Sequence, residues 1–140
     1  MIDFVYYTDF ELKDQKSVSD WLLSLAIKEG FNIKNLHYNY VSPDEIQSLN
    51  KEFLDHDYIT DVIAFDYSEG NEMSAEVFIC QKQVQKNAKE FSQSAENETL
   101  RVLCHAFFHL CGYNDKTDKD KAIMRSIEDN AIASFQTTHK

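Results

Sequence analysis

The sequence predicts an α+β fold, a single domain over residues 1–140 with four short strands and about five helices. Three observations lead to this class. The length of 140 residues suits one domain, and 43% apolar residues can build a core. Short runs rich in β-branched and aromatic residues alternate with stretches of helical period. Only 3 glycines and 1 proline occur, which excludes flexible linkers and glycine-rich repeats.

The first half of the chain is predicted to contain two strands and two helices. Ile2–Tyr7 is short and β-rich, and Leu36–Val41 alternates apolar with polar side chains, as a half-buried strand does. Between them, Lys16–Glu29 carries an apolar face and is followed by Gly30, a residue typical of helix ends. The run Ser42–Glu45 opens the next helix, with serine as N-cap, proline in the first turn and glutamate at the capping-box position.

The second half is predicted to begin with a polar loop, Asp55–Thr60, and a β-hairpin. The hairpin joins Val62–Phe65 to Glu76–Cys80 through the turn signal Ser68–Asn71. The middle one of the three helices that follow is apolar almost all round, which predicts a buried central helix that Gly112 ends. The three helices are Gln81–Phe91, Asn97–Cys111 and Asp118–Phe135.

The charge balance limits what the chain can bind. With 14 basic and 24 acidic residues the net charge is −10, which argues against bulk electrostatic binding to nucleic acid or to an anionic membrane. The 3 cysteines form no CxxC pair, which favours a reducing compartment. The first residues lack the basic and apolar regions of a signal peptide, and no apolar run is long enough to span a membrane. We therefore expect a cytoplasmic protein.

The buried central helix contains two histidines, His105 and His109, which are one turn apart and therefore on one face. A third donor, Asp115, follows Gly112, whose conformational freedom lets the chain double back toward the same ion. Two imidazoles and one carboxylate are good zinc ligands and leave one coordination position for water. The spacing predicts an open, hydrolytic site for one zinc ion, which would polarise bound water or a phosphoryl oxygen.

A histidine pair on a helix is by itself a weak indicator, because most such pairs are structural or exposed. Here the helix is otherwise apolar, so two neutral imidazoles in it would need polar partners. The spacing also matches the metzincin protease motif, but Ala106 stands where those proteases need a glutamate base. A thiolate ligand from Cys111 stays a minor alternative. The remaining histidines are isolated and are predicted to lie at the surface, in a strand or in the tail; they are His37, His56 and His139.

The segment His105–Asp115 reads His-Ala-Phe-Phe-His-Leu-Cys-Gly-Tyr-Asn-Asp and resembles the HGxLHLxGYDH signature of the YbeY family of bacterial rRNA maturation factors. Leu49–Asn50 and Thr60–Phe65 resemble the family's LN…TDVLSF segment, and Glu76–Ile79 stands where the family has a DIxI strand. The resemblance implies a zincin-like α+β fold with a small mixed sheet. It also implies a metal-dependent endoribonuclease, specific for single strands, that acts in 16S rRNA 3′-end maturation and ribosome quality control.

Four positions depart from the family pattern. Asp115 replaces the third histidine, Glu76 replaces an aspartate, and an alanine follows the first histidine in place of glycine. These three changes can preserve the chemistry, because aspartate binds zinc and glutamate keeps the charge. Leu54 replaces an arginine that the resemblance implies in substrate contact. The two arginines of the chain, Arg101 and Arg125, lie elsewhere in the sequence.

Two acidic residues are the candidate catalytic groups. Asp61 precedes an apolar strand and Glu76 begins the next one, and either could orient the attacking water. A turn role is the alternative for Asp61. Asn50 is a candidate substrate contact, with a hydrogen bond to the neighbouring loop as the alternative. Three lysines at helical spacing are candidate RNA contacts, with a solvated helix face as the alternative; they are Lys82, Lys86 and Lys89.

Two other functions stay open. The missing glutamate base disfavours a metal-dependent peptidase-like hydrolase. Leu54 and the net charge of −10 favour a non-catalytic ribosome-assembly factor with a structural zinc. Because the chain is acidic, RNA binding must depend on a local positive patch or on a partner that delivers the RNA. The resemblance implies the small ribosomal subunit or its proteins as that partner.

Overall fold

The computed structural model describes residues 1–138, and this part of the chain contains four strands and five helices. In chain order they are β1 (Ile2–Tyr6), α1 (Gln15–Glu29), β2 (Asn32–Tyr40), α2 (Pro43–Leu54), β3 (Val62–Asp66), β4 (Glu72–Ile79), α3 (Gln81–Glu90), α4 (Ala95–Leu110) and α5 (Asp118–Thr138). Every strand and helix expected from the sequence is present. None of the helices in residues 1–138 combines the length and the hydropathy that a membrane span requires.

The four strands form one mixed sheet in the order β1-β2-β4-β3. β1, β2 and β4 run parallel, whereas the edge strand β3 is antiparallel to β4, with Val62 opposite Ile79. The expected hairpin and the expected mixed four-stranded sheet are thus confirmed. β2 and β4 begin earlier than predicted, because their polar first residues pair with each other, Asn32 with Glu72. Such pairing satisfies backbone groups whatever the side chains are.

Local sequence signals set the ends of the helices. Ser42 caps α2 by accepting a hydrogen bond from the Glu45 amide at 3.2 Å. Gly30 ends α1 in the left-handed region, with φ of 78°, which glycine adopts without strain. At the other end of α1, the Asp14 carboxylate accepts from the Ser17 amide at 3.1 Å. This cap explains why α1 begins at Gln15.

One face of the sheet packs against α1 and α4, and α5 packs on α4 to complete the main core. Because side chains alternate across a strand, Tyr38 of β2 and Val77 of β4 share this core with Leu103 and Phe107 of α4. The Tyr38 hydroxyl donates to the Leu103 carbonyl oxygen at 3.2 Å, which ties α4 to the sheet. The buried indole N–H of Trp21 donates to the Ala131 carbonyl oxygen at 2.9 Å and ties α5 to α1.

A smaller core lies on the opposite face of the sheet, under α2. Ile46 of α2 belongs to one apolar cluster with Ile63 of β3, and Phe65 and Phe78 pack against it. The alternation of β4 therefore divides its residues between two sides, one facing α4 and the other facing α2. This division decides which strand residues can reach a site on α4.

Candidate active site

The central helix α4 carries the predicted site on one of its faces. It begins after Ser94, whose hydroxyl accepts from the Asn97 amide at 3.0 Å, and nearly all of its later residues are buried, as expected. Gly112 follows the helix with φ of 106°, a conformation that favours glycine and turns the chain. His105 is partly buried, whereas His109, one turn further on, is exposed.

A cleft of about 520 Å³ lies beside His105, between α4, α5 and the start of β3. Charged groups dominate its walls, which is unusual for a pocket next to a buried helix. Those from the sequence prediction are Asp61, His105 and Asp115, and those it did not assign to a site are Glu98, Arg101, Lys121, Arg125 and Glu128.

The imidazole of His105 is held between two carboxylates. Its Nδ1 lies 2.6 Å from Oε2 of Glu128, and its Nε2 lies 3.8 Å from Oδ2 of Asp115. Because an ionised carboxylate only accepts hydrogen bonds, Nδ1 carries the proton and donates a hydrogen bond to Glu128. The hydrogen bond to Glu128 is the main reason why the pKa of His105 is raised, although burial opposes it. In the neutral ring, the Nε2 lone pair faces Asp115.

Glu128 is itself fixed by a buried arginine. Nη1 of Arg101 donates to Oε1 of Glu128 at 2.9 Å, and Nη2 donates to Oδ1 of Asp129 at 2.7 Å. The Glu128 side chain is only 5% exposed. Each of its two carboxylate oxygens accepts one hydrogen bond, from Arg101 and from His105 respectively. Sequence reasoning missed this network. A charged residue at Arg101, one turn before His105 in an apolar helix, was the one signal that pointed to it.

The arrangement brings two of the three predicted metal donors together. Within residues 1–138, no three histidine, cysteine, aspartate or glutamate side chains are gathered closely enough to hold a metal ion. Two ligands of one tetrahedral zinc lie about 3.4 Å apart, close to the 3.8 Å between His105 Nε2 and Asp115 Oδ2. A carboxylate on the other ring nitrogen, here Glu128, is the usual support of a zinc-binding histidine. His105 and Asp115 therefore have the donor types and the spacing that a divalent ion requires, whereas the exposed His109 is not among the side chains that line the cleft.

The two candidate catalytic acids lie on different sides of the sheet. Asp61 lines the cleft, its carbonyl oxygen accepts from the Cys80 amide at 2.9 Å, and Asn87 donates to its carboxylate at 3.4 Å. Glu76 lies on the α2 side of β4, where its carboxylate accepts from Asn39 at 2.8 Å. The structure thus brings Asp61 to His105 and does not bring Glu76 there.

The candidate substrate contacts lie outside the cleft. Asn50 is buried, and its side chain donates to the Tyr58 carbonyl oxygen at 3.0 Å. This is the hydrogen bond to the neighbouring loop that was the alternative to substrate contact. The exposed α3 residues Lys82, Lys86 and Lys89 are absent from the cleft walls. His37 lies 3.1 Å from Asp3, and His56 stacks on Tyr58. His139 lies outside the described residues.

Glu98 is a buried carboxylate at the cleft, and it is expected to cost stability at neutral pH. Its pKa is raised, chiefly by burial, while Arg101 at 4.0 Å opposes the shift. A raised pKa means that ionised Glu98 destabilises the fold; the cost is absent below the ordinary glutamate pKa and complete at neutral pH. Glu98→Gln should therefore stabilise the protein at pH 7 by up to about 1 kcal/mol, since solvent in the cleft screens part of the charge.

Urea denaturation of wild type and Glu98→Gln at pH 7 and pH 4 measures this effect. The stabilisation should disappear at pH 4, where the wild-type carboxyl is protonated. Glu52→Gln, at an exposed position of α2, is the matched control and should change nothing at either pH. Equal effects of Glu98→Gln at both pH values would show that the charge of Glu98 is not the cause.

Fold and site together define a small mixed α/β protein with a charged histidine–carboxylate cleft, suited to acid–base chemistry on a bound substrate. The family model of Endoribonuclease YbeY matches residues 7–136. An Endoribonuclease YbeY from Flavobacterium johnsoniae is 42% identical over 135 residues, which are 96% of this chain and 97% of that protein. One from Cytophaga hutchinsonii is 38% identical over 127 residues, 90% of this chain and 89% of that protein. The chain belongs to the endoribonuclease YbeY family.

The fold also matches a solved structure. The solution structure of a protein from Thermotoga maritima superposes with a TM-score of 0.69 at 29% identity, over 99% of this chain and 91% of that one. The family resemblance of the sequence and the predicted fold class are thus both confirmed.

Proposed function

We propose that the chain is a metal-dependent endoribonuclease that cleaves single-stranded RNA in this cleft and acts in 16S rRNA 3′-end maturation and ribosome quality control. The observation that carries the proposal is the constrained His105, fixed at Nδ1 by Glu128 and facing Asp115 from Nε2, on the wall of a cleft that also contains Asp61. The relatives, which are named endoribonucleases, supply the reaction class.

A divalent ion, zinc by its ligand preference, would be bound by His105, His109 and Asp115. When bound, such an ion lowers the pKa of water and polarises a phosphoryl oxygen. The chain's own groups prepare the site. Glu128 accepts a hydrogen bond from Nδ1–H and so sets both the tautomer and the orientation of the ring.

Asp61 is the cleft carboxylate placed to accept a proton from an attacking hydroxyl or water. Its backbone is fixed by the Cys80 amide, while the Thr60 hydroxyl and the Asn87 amide each donate to one carboxylate oxygen at the long distance of 3.4 Å and leave further accepting capacity free. Asp61 therefore has the better placement for a general base than Glu76, whose carboxylate is engaged by Asn39 on the other side of the sheet.

An assay with defined RNAs tests the proposed activity. Purified zinc-loaded protein should cleave a single-stranded oligoribonucleotide and leave the same sequence intact in a duplex. His37→Ala, on the interior strand β2 and outside the cleft walls, is the control and should cleave as wild type does. Zinc-loaded protein that binds small ribosomal subunits but cuts no RNA would overturn the nuclease proposal in favour of an assembly factor. Cleavage of peptides instead of RNA would also overturn it.

The net charge of −10 also supports a partner for the reaction. Free RNA is repelled by most of the surface, so binding at physiological salt is expected to be weak. We therefore include delivery of the substrate by the small ribosomal subunit or one of its proteins, in the cytoplasm, as part of the proposal.

A further inference from the structure

Both arginines of the chain lie on the walls of the cleft, but they differ in burial and in ion pairing. Arg101 is buried and is engaged by Glu128 and Asp129. Arg125 is exposed, and neither it nor Lys121 is in any of the ion pairs within residues 1–138. Arg125 is thus the one guanidinium of the chain that is free to bind a ligand.

Lys121 and Arg125 stand side by side on α5. They are four residues apart, so they lie one turn from each other on the same helix face, at about 6 Å along the axis. Both line the cleft, as Asp61 does, and Arg125 is close enough to Glu98 to affect the pKa of that carboxyl. The pair therefore forms a positive edge along one wall of an otherwise acidic cleft.

The charges of the cleft explain why such an edge matters. Apart from the mutually neutralised Arg101 and Glu128, three carboxylates remain, on Asp61, Glu98 and Asp115. A polyanion entering the cleft meets these groups, and a divalent ion, when bound, would offset only two of their charges. Favourable contacts for phosphates flanking the cleaved bond must come from the α5 cations, because no other unpaired basic side chain lines the cleft within residues 1–138.

We propose that Arg125 and Lys121 are the phosphate-binding residues of this cleft, with Arg125 binding one backbone phosphate through both its terminal nitrogens and Lys121 binding the next. This inference rests on the proposed function. It assigns contact with the RNA substrate to α5. The Leu54 position and the α3 lysines, which the sequence analysis considered for this contact, are not part of the assignment. Guanidinium suits bidentate phosphate binding, whereas ammonium acts as a point charge.

Salt dependence of binding tests this assignment. A 2′-O-methyl oligoribonucleotide is titrated with metal-loaded protein at several salt concentrations, under conditions in which electrophoresis shows the oligonucleotide to be intact. Each lost phosphate contact should reduce the log–log salt slope by about 0.7, so Lys121→Ala/Arg125→Ala should lose about 1.4. Arg125→Lys should keep the slope but raise Kd about tenfold, because the charge remains and the bidentate contact is lost.

The control variant removes the same number of positive charges at positions outside the cleft. Lys28→Ala/Lys119→Ala removes two exposed lysines outside the cleft walls and should keep the wild-type slope. In cleavage assays, Lys121→Ala/Arg125→Ala should raise KM about tenfold or more while kcat falls less.

Two results separate this inference from the function on which it rests. If wild type cleaves RNA but Lys121→Ala/Arg125→Ala keeps the wild-type slope and KM, the α5 assignment is wrong and the nuclease proposal stands. The same holds if only Lys82→Ala/Lys86→Ala/Lys89→Ala reduces the slope, since α3 would then bind the phosphates. If wild type neither binds nor cleaves single-stranded RNA, both proposals fail.

Discussion

Arg101→Ala is expected to lower the free energy of unfolding by about 3–5 kcal/mol, because it leaves the buried carboxylate of Glu128 without its cationic partner. A small domain has a total stability of about 5–15 kcal/mol, so the loss is a large fraction of it. Chemical denaturation at pH 7 measures the change. Arg125→Ala removes the other arginine from an exposed position and should change stability by less than about 0.5 kcal/mol.

A double variant separates the contribution of the Arg101–Glu128 pair to stability from the role of Glu128 in holding His105. Arg101→Met/Glu128→Met removes both charges and should recover much of the stability, because apolar side chains of similar volume can replace a buried ion pair. It still lacks the carboxylate that holds Nδ1 of His105, so its affinity for zinc should fall about 10–100-fold. A folded double variant with wild-type zinc affinity would show that Glu128 does not position the histidine.

His109→Ala should abolish zinc binding at neutral pH and reduce RNA cleavage to background. The reason is that His105 and Asp115, the two donors that the structure brings together, hold zinc poorly without a third ligand. Because His109 is exposed, the variant should remain folded, so circular dichroism and metal analysis can be done on the same sample. His56→Ala, an exposed histidine in a loop, is the control. Stoichiometric zinc of wild-type affinity in His109→Ala would refute the ligand assignment.

The sequence was most informative where the determinants are local. The Ser42 cap, the end of α1 at Gly30 and the hairpin of β3 and β4 depend on neighbouring residues, and each was predicted correctly. The early starts of β2 and β4 were missed because pairing between Asn32 and Glu72, forty residues apart, determines them. Propensity cannot show such partners.

The same distinction holds for the site. The spacing of His105 and Asp115 pointed to a shared location, and the structure places them together. Glu128 could not be predicted, because it reaches His105 through the packing of α5 on α4. Glu76 was a candidate for the site, but strand alternation turns it away from the cleft, since Val77 and Ile79 face the core with α4 and Glu76 then faces the other way.

The dependence of the cleft on α5 sets an order of events during synthesis of the chain. His105 is made 23 residues before Glu128, and at 5–20 residues per second this interval lasts about 1–5 s. Until α5 has emerged, α4 exposes an imidazole without its carboxylate and Arg101 without either acidic partner. The nascent chain therefore cannot assemble a working cleft while α5 is still inside the ribosome that is translating it.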